Sequence, residues 1–173
     1  SSSDEALLGA VADGDRLALR LLYERHAPWL TLRLARRCAD RDAVDDAVQD
    51  TFVAVWRSAA RYSGEGAVGA WIWGIAIRRL IDALRRRPRE DLAPEQFADS
   101  EPSAEEQVLL GVEHGDLGGA LARLSPELRA VVQATILDGL TTREASRLLG
   151  IAPGTVKTRA MRARKQLRAE LVT

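Results

Sequence analysis

Apolar residues recur along this chain at spacings of three and four rather than two, a pattern that predicts helices nearly throughout and no alternating β-strand. The plainest stretch runs from Ala43 to Ala59, where Val44, Ala47, Val48, Thr51, Phe52, Val55, Trp56 and Ala59 form one stripe. Upstream, residues 15–39 read as a long helix with Leu17, Leu21, Leu22, Trp29, Leu30 and Leu34 as its expected core and a kink expected at Pro28. Downstream of a glycine-rich loop, YSGEGAVG, the helical pattern resumes and stops at Pro88. On that helix Trp73, Ile77, Leu80 and Leu84 share a side assigned to the core. Trp71, Gly74, Arg78, Asp82 and Arg85 share the other.

Between Pro88 and Ser103 the sequence PREDLAPEQFADSEPS loses its apolar period and gains prolines and acids, so it reads as a linker. A helix is expected around 104–124. Ser125 then supplies an N-cap with Pro126 at the first helical position, and Gly139 a terminator. Thr141 and Glu144 have the spacing of a capping box, Ala145, Leu148 and Leu149 continue the pattern, Gly150 closes it, Ile151 packs back and Pro153 opens the next helix. The layout is helix, short glycine turn, helix.

Composition narrows the class. With 46% hydrophobic residues the 173-residue chain has enough apolar material for helical cores, which excludes a disordered protein. Cys38 is the single cysteine, and His26 and His114 lie far apart in sequence, so neither a disulfide framework nor a zinc site of usual spacing is expected, and no cofactor is implied. No apolar run approaches the roughly 20 residues of a membrane span. The first residues lack the basic start and cleavage site of a signal peptide, so a reducing cytoplasmic location is expected.

Charge is neutral in total, 25 Lys and Arg against 25 Asp and Glu, but it is segregated: residues 1–60 sum to −2, 61–89 to +5, 90–127 to −9 and 128–173 to +6. Two basic segments separated by an acidic one point to two contacts with a polyanion. On the helix opened by Pro153, Val156, Ala160, Ala163 and Leu167 make a narrow apolar seam. The opposite side carries Lys157, Thr158, Met161, Arg162 and Lys165, flanked by Arg159 and Arg164. Such a face fits a DNA major groove, with phosphates on the walls and guanine acceptors on the floor. The first-turn N–H groups near Gly154 and Thr155 suit a phosphate oxygen. A basic helix alone is equally well a solvated face; the capped helix and Gly150 turn before it favour helix-turn-helix DNA binding.

Three stretches taken in order, DDAVQDTF, GEGAVGAWIWGIAIRRLID and GLTTREASRLLGIAPGTVKTR, resemble the extracytoplasmic-function (ECF) sigma factors of the sigma-70 family over nearly the whole chain. The resemblance implies an all-α protein of two helical domains: residues 1–88 as a sigma2-like domain, 89–103 as an acidic linker, and 104–173 as a sigma4-like helix-turn-helix domain. It implies a non-enzymatic subunit that binds core RNA polymerase and promoter DNA, directs promoter-specific initiation and assists melting. It also implies an anti-sigma partner.

By the same resemblance, Asp45, Asp46, Gln49, Asp50, Val53 and Arg57 would meet the β′ clamp helices of the polymerase, whose β subunit is a further expected contact. Tyr62, Ser63, Gly64, Glu65, Trp71, Arg78, Arg79, Arg85 and Arg86 would contact the −10 element, with Arg87 another candidate for phosphates. Thr155, Lys157, Thr158, Arg159, Met161, Arg162 and Lys165 would contact the −35 element. Where relatives often carry arginine and asparagine, this chain has Gly74 and Arg78, so a −10 base preference does not carry over. Read from the residues alone, the 45–57 face is also compatible with a solvated acidic surface, Trp71 with core, and the linker with a plain tether. Two rival classes remain at this point. One is a stand-alone helix-turn-helix regulator. The other is an enzyme with a DNA-binding tail, disfavoured because Asp45, Asp46 and Asp50 lie on one helix with no histidine nearby in sequence.

Overall fold

A computed structural model describes residues 2–86 and 117–171, and among these every regular element is helical. The chain divides into two compact units, Ser1–Arg87 and Pro88–Thr173. The 89–103 linker, Arg87 and the first part of the expected 104–124 helix lie outside the described residues.

In the first unit, α1 spans Asp4–Ala12, α2 Arg16–Arg37, α3 Arg41–Ser58 and α4 Val68–Arg85, with a 3-10 turn at Ala59–Arg61. Short polar side chains start three of them: Ser3 accepts from the Ala6 N–H, Asp15 from those of Leu17 and Ala18, and Asp40 from that of Ala43. Each satisfies amides that the first helical turn leaves without a partner. The core joins Leu8 and Val11 of α1, Leu22, Leu30 and Leu34 of α2, Val44 and Val55 of α3, and Ile72, Ile77, Leu80 and Ile81 of α4, all essentially inaccessible to water. Burying each such side chain contributes about 1.5–3 kcal/mol. Trp73 is buried as expected, and the guanidinium of Arg33 lies over its ring at 4.2 Å from the centroid, fastening α2 to α4.

The α2 register differs from the expected one. Leu17 and Leu21 are exposed, at 63% and 41%, and the buried stripe is Ala18, Leu22, His26, Leu30 and Leu34. A histidine occupies the middle of that stripe, so counting apolar residues favours the wrong side of the first turns. The helix also runs unbroken through Pro28, which sits on the exposed side.

In the second unit, α5 spans Leu117–Arg123 and α6 Pro126–Val132, the latter continuing into a π turn at Gln133–Leu137. α7 spans Thr142–Leu149 and α8 Pro153–Leu171. Leu121, Leu124, Val132, Ala163 and Leu167 form the centre of its core, with Leu117, Leu128 and Leu137 packed against them. The capping box is complete: the Thr141 hydroxyl accepts from the Glu144 N–H and the Glu144 carboxylate from the Thr141 N–H. Gly150 adopts φ +68°, the left-handed conformation that ends α7, and the Ile151 N–H closes back onto the Ser146 carbonyl at 3.2 Å. That closure fixes the direction in which α8 departs.

Candidate functional site

On α3 the buried stripe turns a second face outward. Asp45, Asp46, Gln49, Val53 and Arg57 are exposed on it, and Asp50 is half-buried with its Oδ2 atom 3.3 Å from Nη2 of Arg86. A row of carboxylates with an amide and an exposed valine suits a basic, partly apolar protein surface, where such charges set orientation and register.

The loop between the 3-10 turn and α4 is built by its own residues. The Tyr62 hydroxyl donates to the Gly66 carbonyl across it, the Glu65 N–H donates to Ser63 Oγ at 3.3 Å, and Gly64 and Gly66 take φ of 79° and 75°. Only glycine accepts those angles without strain. The Tyr62 ring meets the half-buried Trp71 ring edge-on, centroids 5.7 Å apart, tying the loop to the first turn of α4.

Along the outward side of α4 a groove of about 400 Å³ is lined by Ala70, Trp71, Gly74, Ile75, Arg78 and Arg79. Arg78 folds back so that its Nη1–H donates to the Gly74 carbonyl at 3.0 Å. Beyond the groove, Asp82 lies between Arg79 and Arg85, at 3.2 and 3.8 Å.

In the second unit α8 buries Val156, Ala163 and Leu167 and half-buries Ala160, so the expected seam forms. Lys157, Thr158, Met161, Arg162 and Lys165 are exposed, Met161 at 70%, and Thr155 is half-buried. The Thr158 hydroxyl donates to the Gly154 carbonyl at 3.0 Å. Arg159 is drawn toward α6, where its Nη2 atom lies 3.9 Å from the Glu127 carboxylate, and its side chain is only 21% exposed. A phosphate that reaches Arg159 competes with Glu127 for its guanidinium.

Sequence reasoning missed one polar cluster entirely. Asp4 of α1 accepts from Arg25 at 2.6 Å and pairs with Nε2 of buried His26 at 3.0 Å, while the Trp29 indole N–H donates to His26 Nδ1 at 2.9 Å. That leaves Nδ1 as the acceptor and Nε2 as the nitrogen that carries the proton. Asp4 lies more than twenty residues from Arg25 and His26 in sequence, and no motif spacing signals their contact. Among the described residues there is no group of His, Cys, Asp and Glu arranged to hold a metal ion, and no helix long and apolar enough to cross a membrane.

Residues 22–90 match the family Sigma-70 region 2, and residues 114–167 match Sigma-70, region 4. The ECF RNA polymerase sigma factor SigM of Mycobacterium tuberculosis is 35% identical over 168 residues, which span 95% of this chain and 83% of that one. The chain belongs to the ECF group of sigma-70 factors. This sigma factor is also similar to the RNA polymerase sigma factor CnrH of Cupriavidus metallidurans, 30% identical across 98% of this chain and 94% of CnrH. The ECF RNA polymerase sigma factor RpoE of Cereibacter sphaeroides is 30% identical across 96% and 93%. Among solved structures, CnrH in complex with the cytosolic domain of CnrY aligns over 98% of this chain and 97% of CnrH, with 27% identity and a TM-score of 0.47. The sigma factor therefore works with core RNA polymerase on promoter DNA in promoter-directed transcription initiation, and the stand-alone regulator is disfavoured.

Proposed function

We propose that this sigma factor divides promoter recognition between its domains, residues 1–88 binding polymerase and reading and melting the −10 element and residues 104–173 reading the −35 element, with 89–103 as the acidic connection. The observation that carries this reading is that each compact unit buries one stripe of a helix and leaves a basic side outward: Arg78, Arg85 and Arg86 in or just after α4, and Lys157, Arg162 and Lys165 on α8. The outward side of α3, with Asp45, Asp46, Gln49, Asp50, Val53 and Arg57, is the polymerase contact.

The Tyr62–Glu65 loop and Trp71 receive an unstacked −10 base. Glycine backbone lets a base approach closely, and the pocket must offset the few kcal/mol of unstacking. Arg78 and Arg79 contact the strand, and Arg85 and Arg86 its phosphates. On α8, Lys157, Thr158, Met161 and Arg162 face base edges, whereas Thr155, Arg159 and Lys165 serve the backbone. The bond-making chemistry belongs to the polymerase; the sigma factor itself is no enzyme, holds no cofactor and acts in the cytoplasm. An anti-sigma protein that covers the polymerase-binding side of α3 is its proposed regulator.

Abortive transcription with core RNA polymerase on a promoter library tests the assignment. Initiation that depends on the protein, at promoters sharing two spaced elements, and that is lost in an Asp46→Ala, Gln49→Ala, Asp50→Ala triple variant of unchanged thermal stability is the expected result. Full activity of that variant would remove α3 from the polymerase interface.

A further inference from the structure

Asp82 is the one acid between Gly66 and Arg89, in a stretch that otherwise carries only positive charge. It lies in the last turn of α4, where the negative end of the helix dipole disfavours a carboxylate and where aspartate is a poor helix former. Local helix energetics alone would select a different residue. Its Oδ2 accepts a hydrogen bond from Nη1 of Arg79 at 3.2 Å, and its Oδ1 is 3.8 Å from Nη1 of Arg85, an ion pair without a hydrogen bond. All three side chains remain between 41% and 45% exposed, so the cluster faces solvent on the side of α4 that bears the groove at Trp71, Gly74 and Arg78.

We propose that Asp82 is a specificity-determining residue of the −10 surface, its negative charge beside Arg79 and Arg85 screening them from phosphates that approach in any other register. This rests on the reading of α4 as the −10 face. Exposed ion pairs of this spacing are weak enough to be exchanged for a phosphate. They bias the two guanidinium groups only weakly, but the carboxylate's charge stays beside them whichever rotamer they adopt. A correctly placed strand meets the N–H groups of both arginines that point away from the carboxylate. An arbitrary strand meets the carboxylate's repulsion without the matching contacts, so the residue lowers non-promoter affinity more than promoter affinity.

The test uses holoenzyme and two fork-junction DNAs, one bearing the −10 element selected in the library experiment and one with that element scrambled. Asp82→Asn is expected to raise affinity for the scrambled fork about 3- to 10-fold and to steepen the salt dependence of its log K by about one, as an additional phosphate is neutralised. The ratio of selected to scrambled affinity falls accordingly, and Asp82→Glu restores it. Arg79→Ala and Arg85→Ala serve as the separate check on the −10 reading. If they weaken fork binding while Asp82→Asn changes neither the ratio nor the salt slope, the role given to Asp82 is wrong and the −10 face stands. If neither arginine matters, the reading of α4 itself fails and the proposal with it. Parallel loss of thermal stability and of affinity for both forks in Asp82→Asn would mark a purely structural residue and also overturn it.

Discussion

Arg162 and Lys165 occupy the same exposed side of α8, three residues apart, yet their chemistry predicts different defects. A guanidinium that donates two hydrogen bonds to guanine O6 and N7 discriminates by about 1–3 kcal/mol, whereas a phosphate contact weakens all sequences alike. Arg162→Ala should therefore relax the −35 preference at one position in a selection experiment. Lys165→Ala should leave the selected sequence unchanged and make log K less salt-dependent by about one. At Asp4, burial pushes the carboxyl pKa up, but the hydrogen bonds from Arg25 and His26 and the positive charge of Arg25 outweigh it and hold it below the ordinary carboxylate value. A group whose folded pKa is depressed contributes stability that is fully present above its unfolded pKa and is lost as pH falls through the folded one. Asp4→Asn should accordingly destabilise the protein near neutral pH, with the gap to wild type closing below about pH 4, where the unfolded carboxylate protonates. Thermal melts across that range measure it; a gap independent of pH would show that the charge of Asp4 contributes nothing.

Caps and punctuation carried the element scale, and they were legible because each is a short-range signal with its own chemistry. The Thr141–Glu144 box, Ser125 with Pro126, the left-handed Gly150 and the Pro153 start all stand where the sequence places them. Their energetic weight is testable. Thr141→Ala should cost about 1 kcal/mol through the lost cap, and Gly150→Ala a similar amount through a β-carbon at φ +68°. Each should lower the melting temperature of the second unit by roughly 4–8 °C and weaken −35 binding with it. A change in binding without a change in melting would mean that Gly150 touches DNA itself. What the sequence did not disclose was long-range pairing. The α2 register shifted because His26 fills a core position that only Asp4 and Trp29, one of them on a different helix, make tolerable for a polar ring. In the same way, the pull of Glu127 on Arg159 comes from a neighbouring helix and leaves no local trace. The α3 face was legible for the opposite reason: a strong buried stripe defines its own reverse side.

At the scale of the molecule, two basic surfaces sit on two units with separate cores, and in the sequence an acidic stretch within the second unit's span separates them. On the proposed division, two DNA elements are read at once only when polymerase holds both units on the same stretch of promoter. Tethering the second contact makes it effectively intramolecular, so its strength depends on whether geometry permits simultaneous engagement. Inserting about 5 bp between the selected elements turns one through half a helical turn relative to the other, since B-DNA repeats every 10–10.5 bp. Holoenzyme should then lose at least about tenfold in initiation, because a loss of roughly 1.4 kcal/mol of simultaneous binding is enough for that factor. Inserting about 10 bp restores the facing of the two elements but not their separation, so it should recover activity only as far as the connecting segment can span. The double comparison separates the two architectures: a helix-turn-helix protein that recognises its site alone would bind the −35 sequence equally well in every spacer. Equal initiation across the series would mean that the second unit contributes no DNA contact during initiation, and the basic side of α8 would need a different ligand.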